Sequence, residues 1–167
     1  MKRIYLDYAS LTPIDGRVLR EMKKYSGFIY ANPSSLHKEG VATKKAMEEG
    51  RKRIAEFLNA HADEIVFTSG GTEANGLAME GSLWAAHRSG NAKPHMITTA
   101  IEHSSIMETA NMLEKHGVEI TRLKVNSTGL IDLNELKKAI KPSTFMVSIM
   151  TVNNEIGSVQ PIREIAK

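Results

Sequence analysis

The stretch "IVFTSGGTEANGLAM", residues 65–79, decides how the fold of this chain is interpreted. It begins as a β-branched, apolar run, breaks at Gly70 and Gly71, and continues with helical spacing. Glycines at such a turn allow positive φ and let a ligand approach the backbone closely. The first N–H groups of the following helix have no partner within it and attract an anion. Residues 69–72 therefore predict a phosphate site, although a plain structural turn capped by Thr72 explains them equally.

The composition is that of a globular protein. The chain has 167 residues, of which 41% are hydrophobic and 25% charged, which suits one domain with a core. The net charge is only +3, and basic residues alternate with glutamates in "KKAMEEGRKRIAE", residues 44–56. We therefore expect no nucleic-acid partner. There is no cysteine and no apolar run of membrane-spanning length, so we expect no metal site, no membrane partner and a cytoplasmic location.

Strand-like and helix-like segments alternate along most of the chain. A strand is predicted at residues 3–9 and a helix at 14–25. After the loop "YANPSSLH", a long helix is predicted at 38–58. The side chains that we expect to face its core are Ala46, Ile54, Phe57 and Leu58. Further strands are predicted at 64–69, 95–101, 119–125 and 144–150. The intervening helices are predicted at 72–89, at 104–116 with a Ser105/Glu108 capping box, from Asp132 onward, and from Pro161 onward.

This alternation predicts an α/β fold with three α/β/α layers and a mostly parallel sheet. Ligands of such sheets bind at the carboxyl ends of the strands. Three predicted loops lie at that edge, namely residues 69–72, 102–104 and 152–157.

Two of these loops carry candidate binding side chains. His103 follows the strand at 95–101, and an imidazole there would stack on a flat ligand or move a proton. A lone histidine in a loop is more commonly structural, so only its position at a strand end makes His103 a candidate. Asn153 and Asn154 would bond a ring oxygen of a cofactor or simply form an Asx turn, and Gly157 predicts a tight turn.

A third polar segment, "NPSSLHKEG" at residues 32–40, precedes the long helix. Taken alone, Asn32, Ser34, Ser35 and His37 are explained by a loop and a helix cap.

Five motifs, in this order, resemble one family. The segments "YLDYASLTP", "NPSSLHKEG", "EIVFTSGGTEANGLAM", "IEHSSI" and "VSIMTVNNEIGSVQPI" are similar to those of the NifS-type cysteine desulfurases. These are class V aminotransferase relatives that depend on pyridoxal 5'-phosphate and have the type I fold. The resemblance runs from Arg3 to the last residue.

The resemblance implies a fold and roles for several residues. Residues 1–16 would belong to the small domain and residues 17–167 to an incomplete cofactor-binding large domain. The strands at 95–101, 119–125 and 144–150 would be neighbours, with the strand at 64–69 at the far edge. Gly71 and Thr72 would bind the cofactor phosphate, His103 would stack on the ring as a catalytic residue, and Asn154 would bond the phenolic oxygen. Asn32 and His37 would lie on the substrate side.

The implied reaction removes sulfur from L-cysteine, giving L-alanine and an enzyme persulfide for iron–sulfur cluster assembly or tRNA thiolation. A homodimer and a sulfur-acceptor protein are the implied partners. The family's Ser-Gly-His-Lys lysine, Asp-Ala-x-Gln aspartate and acceptor cysteine do not occur here. We therefore expect an N-terminal part that requires a C-terminal half or complementary chain and is inactive alone. A fragment of another class V aminotransferase or selenocysteine lyase, or a non-catalytic phosphate- or partner-binding remnant, are the alternatives.

Overall fold

The chain forms six α-helices, a short 3-10 helix at Ala62–Glu64 and three strands within the residues that the computed structural model describes, 3–27 and 29–167. The helices span Gly16–Gly27 (α1), Lys38–Leu58 (α2), Gly71–Arg88 (α3), Ser104–Lys115 (α4), Leu133–Ala139 (α5) and Ile162–Ile165 (α6). The strands span His95–Thr99 (β1), Glu119–Leu123 (β2) and Thr144–Val147 (β3). None of the helices in this described part combines the length and the apolar character that crossing a bilayer requires.

The contacts divide the chain into two compact units, Met1–Phe67 and Thr68–Lys167. The first unit contains α1 and α2, and the second contains the sheet and the other helices. The assignment of residues 1–16 to a small domain and 17–167 to a large domain stays a prediction, and residues 1 and 2 lie outside the described residues.

The sheet of the second unit is parallel and has the strand order β2-β1-β3. Ile97 of β1 is aligned with Thr121 of β2 on one side and with Val147 of β3 on the other. All residues of β1 are buried, as is typical of a central strand in a parallel sheet. The predicted neighbourhood of these three strands is confirmed.

Helices cover both faces of the sheet. Met96 packs with Met79 of α3 and Ile106 of α4, whereas its neighbour Ile97 packs on the opposite face with Leu136 of α5. This alternation follows from the two-residue period of a strand, and it divides the core into two clusters. The predicted three-layer α/β/α arrangement is therefore confirmed.

The strand predicted at residues 3–9 is wrong. The backbone turns at residues 8–10, and the Tyr5 hydroxyl lies 2.8 Å from the carbonyl of Asp7 and 3.0 Å from that of Leu11, so it bonds within its own segment. These contacts are local, whereas a strand requires a partner that a short apolar run does not specify.

The strand predicted at residues 64–69 is also wrong. The segment forms no strand pairing among the described residues, and the Ile65 amide instead donates to the carbonyl of Ala62 at 3.3 Å. A β-branched sequence favours extended backbone, but only a neighbouring chain can complete its hydrogen bonds.

The bounds predicted for α2 are confirmed, but the side that was expected to face a core is wrong. The exposed fractions of Ile54, Phe57 and Leu58 are 41%, 89% and 59%, whereas Ala55 is buried. Helical spacing shows which residues share a face, and only tertiary contacts decide which face is covered.

The capping box predicted for α4 is wrong as well. The N-cap is His103, whose backbone is extended, and Ser105 lies within the first turn. The His103 side chain takes the capping role by accepting the Ser105 amide proton. A histidine is a less common cap than serine, which is why the sequence pattern pointed two residues downstream.

Candidate functional site

The loops after β1 and β3 are joined by hydrogen bonds. The amide nitrogen Nδ2 of Asn153 donates to the carbonyl of Ile101 at 2.7 Å. The carboxylate oxygen Oε1 of Glu102 accepts from the Met150 amide at 3.0 Å and from the Thr99 hydroxyl at 2.8 Å. These contacts fix the loop that precedes His103 against the loop that carries Asn154.

The start of α3 is joined to the same edge through a second set of bonds. Asn75 Nδ2 donates to the hydroxyl of Ser105 at 2.8 Å, and that hydroxyl lies 2.8 Å from His103 Nδ1. The three loops predicted to meet at the carboxyl ends of the strands therefore lie together in the second unit.

The N-terminus of α3 is open to a ligand. Gly70 is its N-cap and provides no side-chain cap, and the first helical bond runs from the Ala74 amide to the Gly70 carbonyl at 3.0 Å. The amides of residues 71–73 consequently have no partner within the helix. Thr72 is exposed beside them. Neutral amides, one hydroxyl and the positive end of the helix dipole form a donor set that fits a phosphate group.

Glu73 stabilises this turn in a way that the sequence did not predict. Its Oε2 accepts from both the backbone amide and the hydroxyl of Ser69, each at 2.6 Å. Both bonds lower the pKa of the Glu73 carboxyl, and the bond from the Ser69 hydroxyl has the larger effect. The ionised carboxylate therefore binds Ser69 at the start of the turn, and Thr72 takes no part in these bonds.

The expectation that the two glycines of the turn have positive φ is wrong. Gly70 has a φ of 166°, which is extended backbone open to any residue, and neither it nor Gly71 is among the positive-φ glycines. A Cβ added at either would meet nothing within 4 Å in the described residues. The space above the turn supports the other explanation, the close approach of a ligand. At Gly157 the predicted tight turn is confirmed by a φ of 70°.

The adjacent asparagines have different environments. Asn153 is only 5% exposed, and its Oδ1 accepts from the amides of Glu155 at 2.9 Å and Ile156 at 3.0 Å. This is the Asx turn that the sequence offered as the structural explanation. Asn154 is exposed, and its Nδ2 donates to the Glu155 carboxylate at 2.8 Å. Asn153 thus holds the loop, and Asn154 is the member accessible to a ligand.

Asn32 and His37 lie in the first unit, whereas the other four candidate residues lie in the second. Asn32 Oδ1 accepts from the Ser34 amide at 2.8 Å, and His37 Nδ1 accepts from the Gly40 amide at 3.2 Å, which caps α2. The loop and cap roles are confirmed. Both residues also line an open hollow of about 550 Å³.

Sequence reasoning missed the residues that connect the loops. Asn75 follows Thr72 by three positions, which places both on neighbouring positions of one helix face, but that signal is weak. Glu102 and Ser105 flank His103 without any distinctive pattern. Their importance depends on contacts between segments that are distant along the chain.

The family model of the class-V aminotransferases, described as "Aminotransferase class-V", matches residues 4–167. The chain belongs to the class-V aminotransferase family. One relative in this family, "Cysteine desulfurase IscS" of Dictyoglomus turgidum, is 45% identical over all of this chain and 42% of its own length. "Cysteine desulfurase, mitosomal" of Trachipleistophora hominis is 47% identical over 99% of this chain and 37% of its own length. The chain thus spans about two fifths of the length of these class-V relatives.

Two solved structures share the fold. A "NIFS-like protein" superposes with a TM-score of 0.92 at 35% identity, covering 99% of this chain and 44% of that one. "SspA in complex with cysteine" superposes with a TM-score of 0.87 at 41% identity, covering 96% and 46%. The predicted fold, an α/β part of a type I pyridoxal-phosphate-dependent enzyme, is therefore confirmed.

Proposed function

We propose that this chain supplies the phosphate-binding and ring-contacting part of a pyridoxal-phosphate-dependent cysteine desulfurase that acts on L-cysteine. One observation carries the proposal. The open N-terminus of α3 is joined by hydrogen bonds to the loop of His103, in a chain whose relatives are named cysteine desulfurases.

Pyridoxal phosphate, when bound, supplies an electron sink for bond cleavage in an amino-acid substrate. Gly71 and Thr72 would hold its phosphate through backbone amides and the Thr72 hydroxyl. Each such bond from a neutral donor to the charged phosphate contributes about 1.5–3 kcal/mol net, so these contacts orient the group and do not account for tight binding alone.

The other residues would act on the ring and the substrate. His103 would stack on the ring and hold or move a proton as the catalytic residue of this half of the site. The exposed amide of Asn154 would donate to a ring oxygen. Asn32 and His37, which line one hollow of the first unit, would lie on the substrate side.

The 167 residues contain neither a cysteine nor a Ser-Gly-His-Lys segment. We therefore propose that they do not release sulfur from L-cysteine alone and that a complementary chain or segment supplies the lysine and the acceptor thiol. The homodimer, the sulfur-acceptor protein, the role in iron–sulfur cluster assembly and the cytoplasmic location stay predictions.

A chimera tests this proposal. These 167 residues would replace the matched region of the Dictyoglomus turgidum relative, and alanine formed from L-cysteine would be measured. We expect the chimera to form alanine and the 167 residues alone to form none. Thr72→Val and His103→Ala should each lower the rate at least tenfold, because they remove a phosphate contact and the ring contact.

The matched control is Ser89→Ala, which removes a hydroxyl at the opposite end of the same helix, where it bonds the Ala86 carbonyl. Its rate should stay within twofold of the parent chimera. A folded chimera that forms no alanine, or full activity of both site variants, would contradict the proposal.

A further inference from the structure

His103 is held by two residues that have no assigned role. Ser105, which is 7% exposed, presents both its amide and its hydroxyl to His103 Nδ1, at 3.2 and 2.8 Å. The same hydroxyl lies 2.8 Å from Nδ2 of Asn75, which belongs to the second turn of α3. A chain of hydrogen bonds therefore runs from the helix that begins at the phosphate turn to the imidazole.

These contacts fix the ring proton of neutral His103. A backbone N–H only donates, so Nδ1 must present its lone pair to the Ser105 amide. A neutral imidazole carries one N–H, which is then on Nε2. Sequence alone does not reveal this assignment, because it depends on His103 rather than Ser105 being the cap of α4.

The same logic fixes the direction of the remaining bonds. Nδ1 and the Ser105 oxygen are 2.8 Å apart, so a hydrogen must lie between them, and it is that of the hydroxyl. The hydroxyl oxygen is then free to accept, and the group that donates to it is the Asn75 amide. This arrangement gives His103 Nδ1, the Ser105 hydroxyl and the Asn75 amide a consistent set of donors and acceptors.

We propose that Asn75 and Ser105 are positioning residues that hold His103 in its Nε2–H form and tie its orientation to the helix of the phosphate turn. The part played by His103 and Thr72 toward a cofactor rests on the proposed function. The location of the proton and its dependence on Asn75 and Ser105 do not.

Two consequences follow for the chemistry of the site. The Nε2–H is the donor that remains for a ligand, since Nδ1 is occupied by the cap. Asn75 lies one turn beyond the phosphate turn, so a displacement of the start of α3 would also move the donor to the Ser105 hydroxyl, and with it the hydrogen bonds of the imidazole.

Nuclear magnetic resonance of the 167-residue chain tests the proton assignment. Long-range proton–nitrogen correlations distinguish a protonated from an unprotonated ring nitrogen, and His103→Gln identifies the signal. We expect Nε2 to be protonated and Nδ1 unprotonated at a pH where the ring is neutral. A protonated Nδ1, or an even mixture of the two forms, would overturn the proposal.

Acylation by diethyl pyrocarbonate, followed residue by residue with mass spectrometry, tests the positioning role. This reagent attacks an unprotonated ring nitrogen, and in the native chain that nitrogen is engaged by two donors. We expect His103 to react at least fivefold faster in Ser105→Ala and Asn75→Ala. Ser105→Thr, which keeps a hydroxyl, should restore slow reaction.

Ser104→Ala is the matched control, because Ser104 is adjacent, exposed and absent from this chain of bonds. His116, whose ring bonds the Met112 carbonyl, serves as the internal reference for reagent strength and for folding of each variant. Equal His103 rates in native, Ser105→Ala and Asn75→Ala chains would overturn the positioning role. Neither measurement uses a cofactor, so a failed chimera with the expected proton location would refute the proposed function and leave this inference standing.

Discussion

At the scale of single residues, His95 shows how a polar side chain can belong to the core of the sheet. It is fully buried in β1, with Nδ1 2.8 Å from the Thr144 hydroxyl and Nε2 2.8 Å from the Thr121 hydroxyl. The Thr144 oxygen also accepts from the Lys141 amide at 2.8 Å, so its own proton is available for Nδ1. The neutral ring thereby links all three strands.

This environment opposes a charge on His95. Burial lowers its pKa below 6.5, the positive charge of Lys141 lowers it further, and Glu119 opposes both to a smaller extent. The unfolded chain therefore takes up a proton near pH 6.5, whereas the folded chain takes it up only at lower pH. The unfolding free energy is consequently largest above pH 6.5 and falls as the pH is lowered toward the folded pKa.

We predict that His95→Gln reduces this pH dependence. Urea unfolding of the native chain between pH 7.5 and 5 should show an unfolding free energy that declines with falling pH, and the variant should decline less. The carboxyls with lowered pKa values, such as Glu119, start from an unfolded pKa of about 4.5 and therefore contribute mainly at the acid end of this range, in both proteins. Identical slopes in the two proteins would show that His95 does not resist protonation.

At the scale of elements, the sequence predicted helices well and isolated strands poorly. The bounds of α2 follow from a polar loop before it and helical spacing within it, both of which are local features. The segment at 64–69 has equally clear strand-like residues, yet its state depends on a neighbour that no local pattern contains. The same limit applies to Asn75 and Ser105, which meet only because α3 and α4 pack together.

Within the first unit, Arg51 of α2 contacts Ile65 and Phe67 and takes the place of a strand partner for them. Its guanidinium donates to the Ile65 carbonyl, lies 4.7 Å from the centroid of the Phe67 ring, and pairs with Glu48 at 3.1 Å. A cation over an aromatic face and a bonded carbonyl together restrain an otherwise unpaired backbone.

We predict that Arg51→Met releases this segment. The substitution keeps an apolar chain of similar length but removes the charge and the donors. Chymotrypsin should cut after Phe67 several-fold faster in the variant, as measured by mass spectrometry of early fragments. Arg53→Met, an exposed neighbour on the same helix, is the control, and equal cleavage in the two variants would mean that Arg51 does not anchor the segment.

At the scale of the whole molecule, the described sheet has one fully buried strand and two flanking strands. β1 is buried along its length, whereas β3 is half-buried and ends at the exposed Val147. Exposed apolar side chains also occur on α3, where Leu77 and Trp84 are 53% and 70% exposed. Such surfaces favour association with another chain. The strand order was predictable only through the resemblance to a family, since periodicity does not specify which strands are neighbours.

Hydrogen exchange of the isolated chain measures how unevenly this arrangement protects the backbone. We predict slow exchange at Met96, Ile97 and Thr98, because β1 is bonded on both sides. The amides of Val66 and Phe67 donate no hydrogen bond among the described residues, so they should exchange at nearly the rate of an unfolded peptide. The measurement requires a sample shown to be monomeric by sedimentation, since association through an unpaired segment would itself confer protection. Strong protection of Val66 and Phe67 in that monomer would mean that a strand forms there after all and that this part of the fold is misassigned.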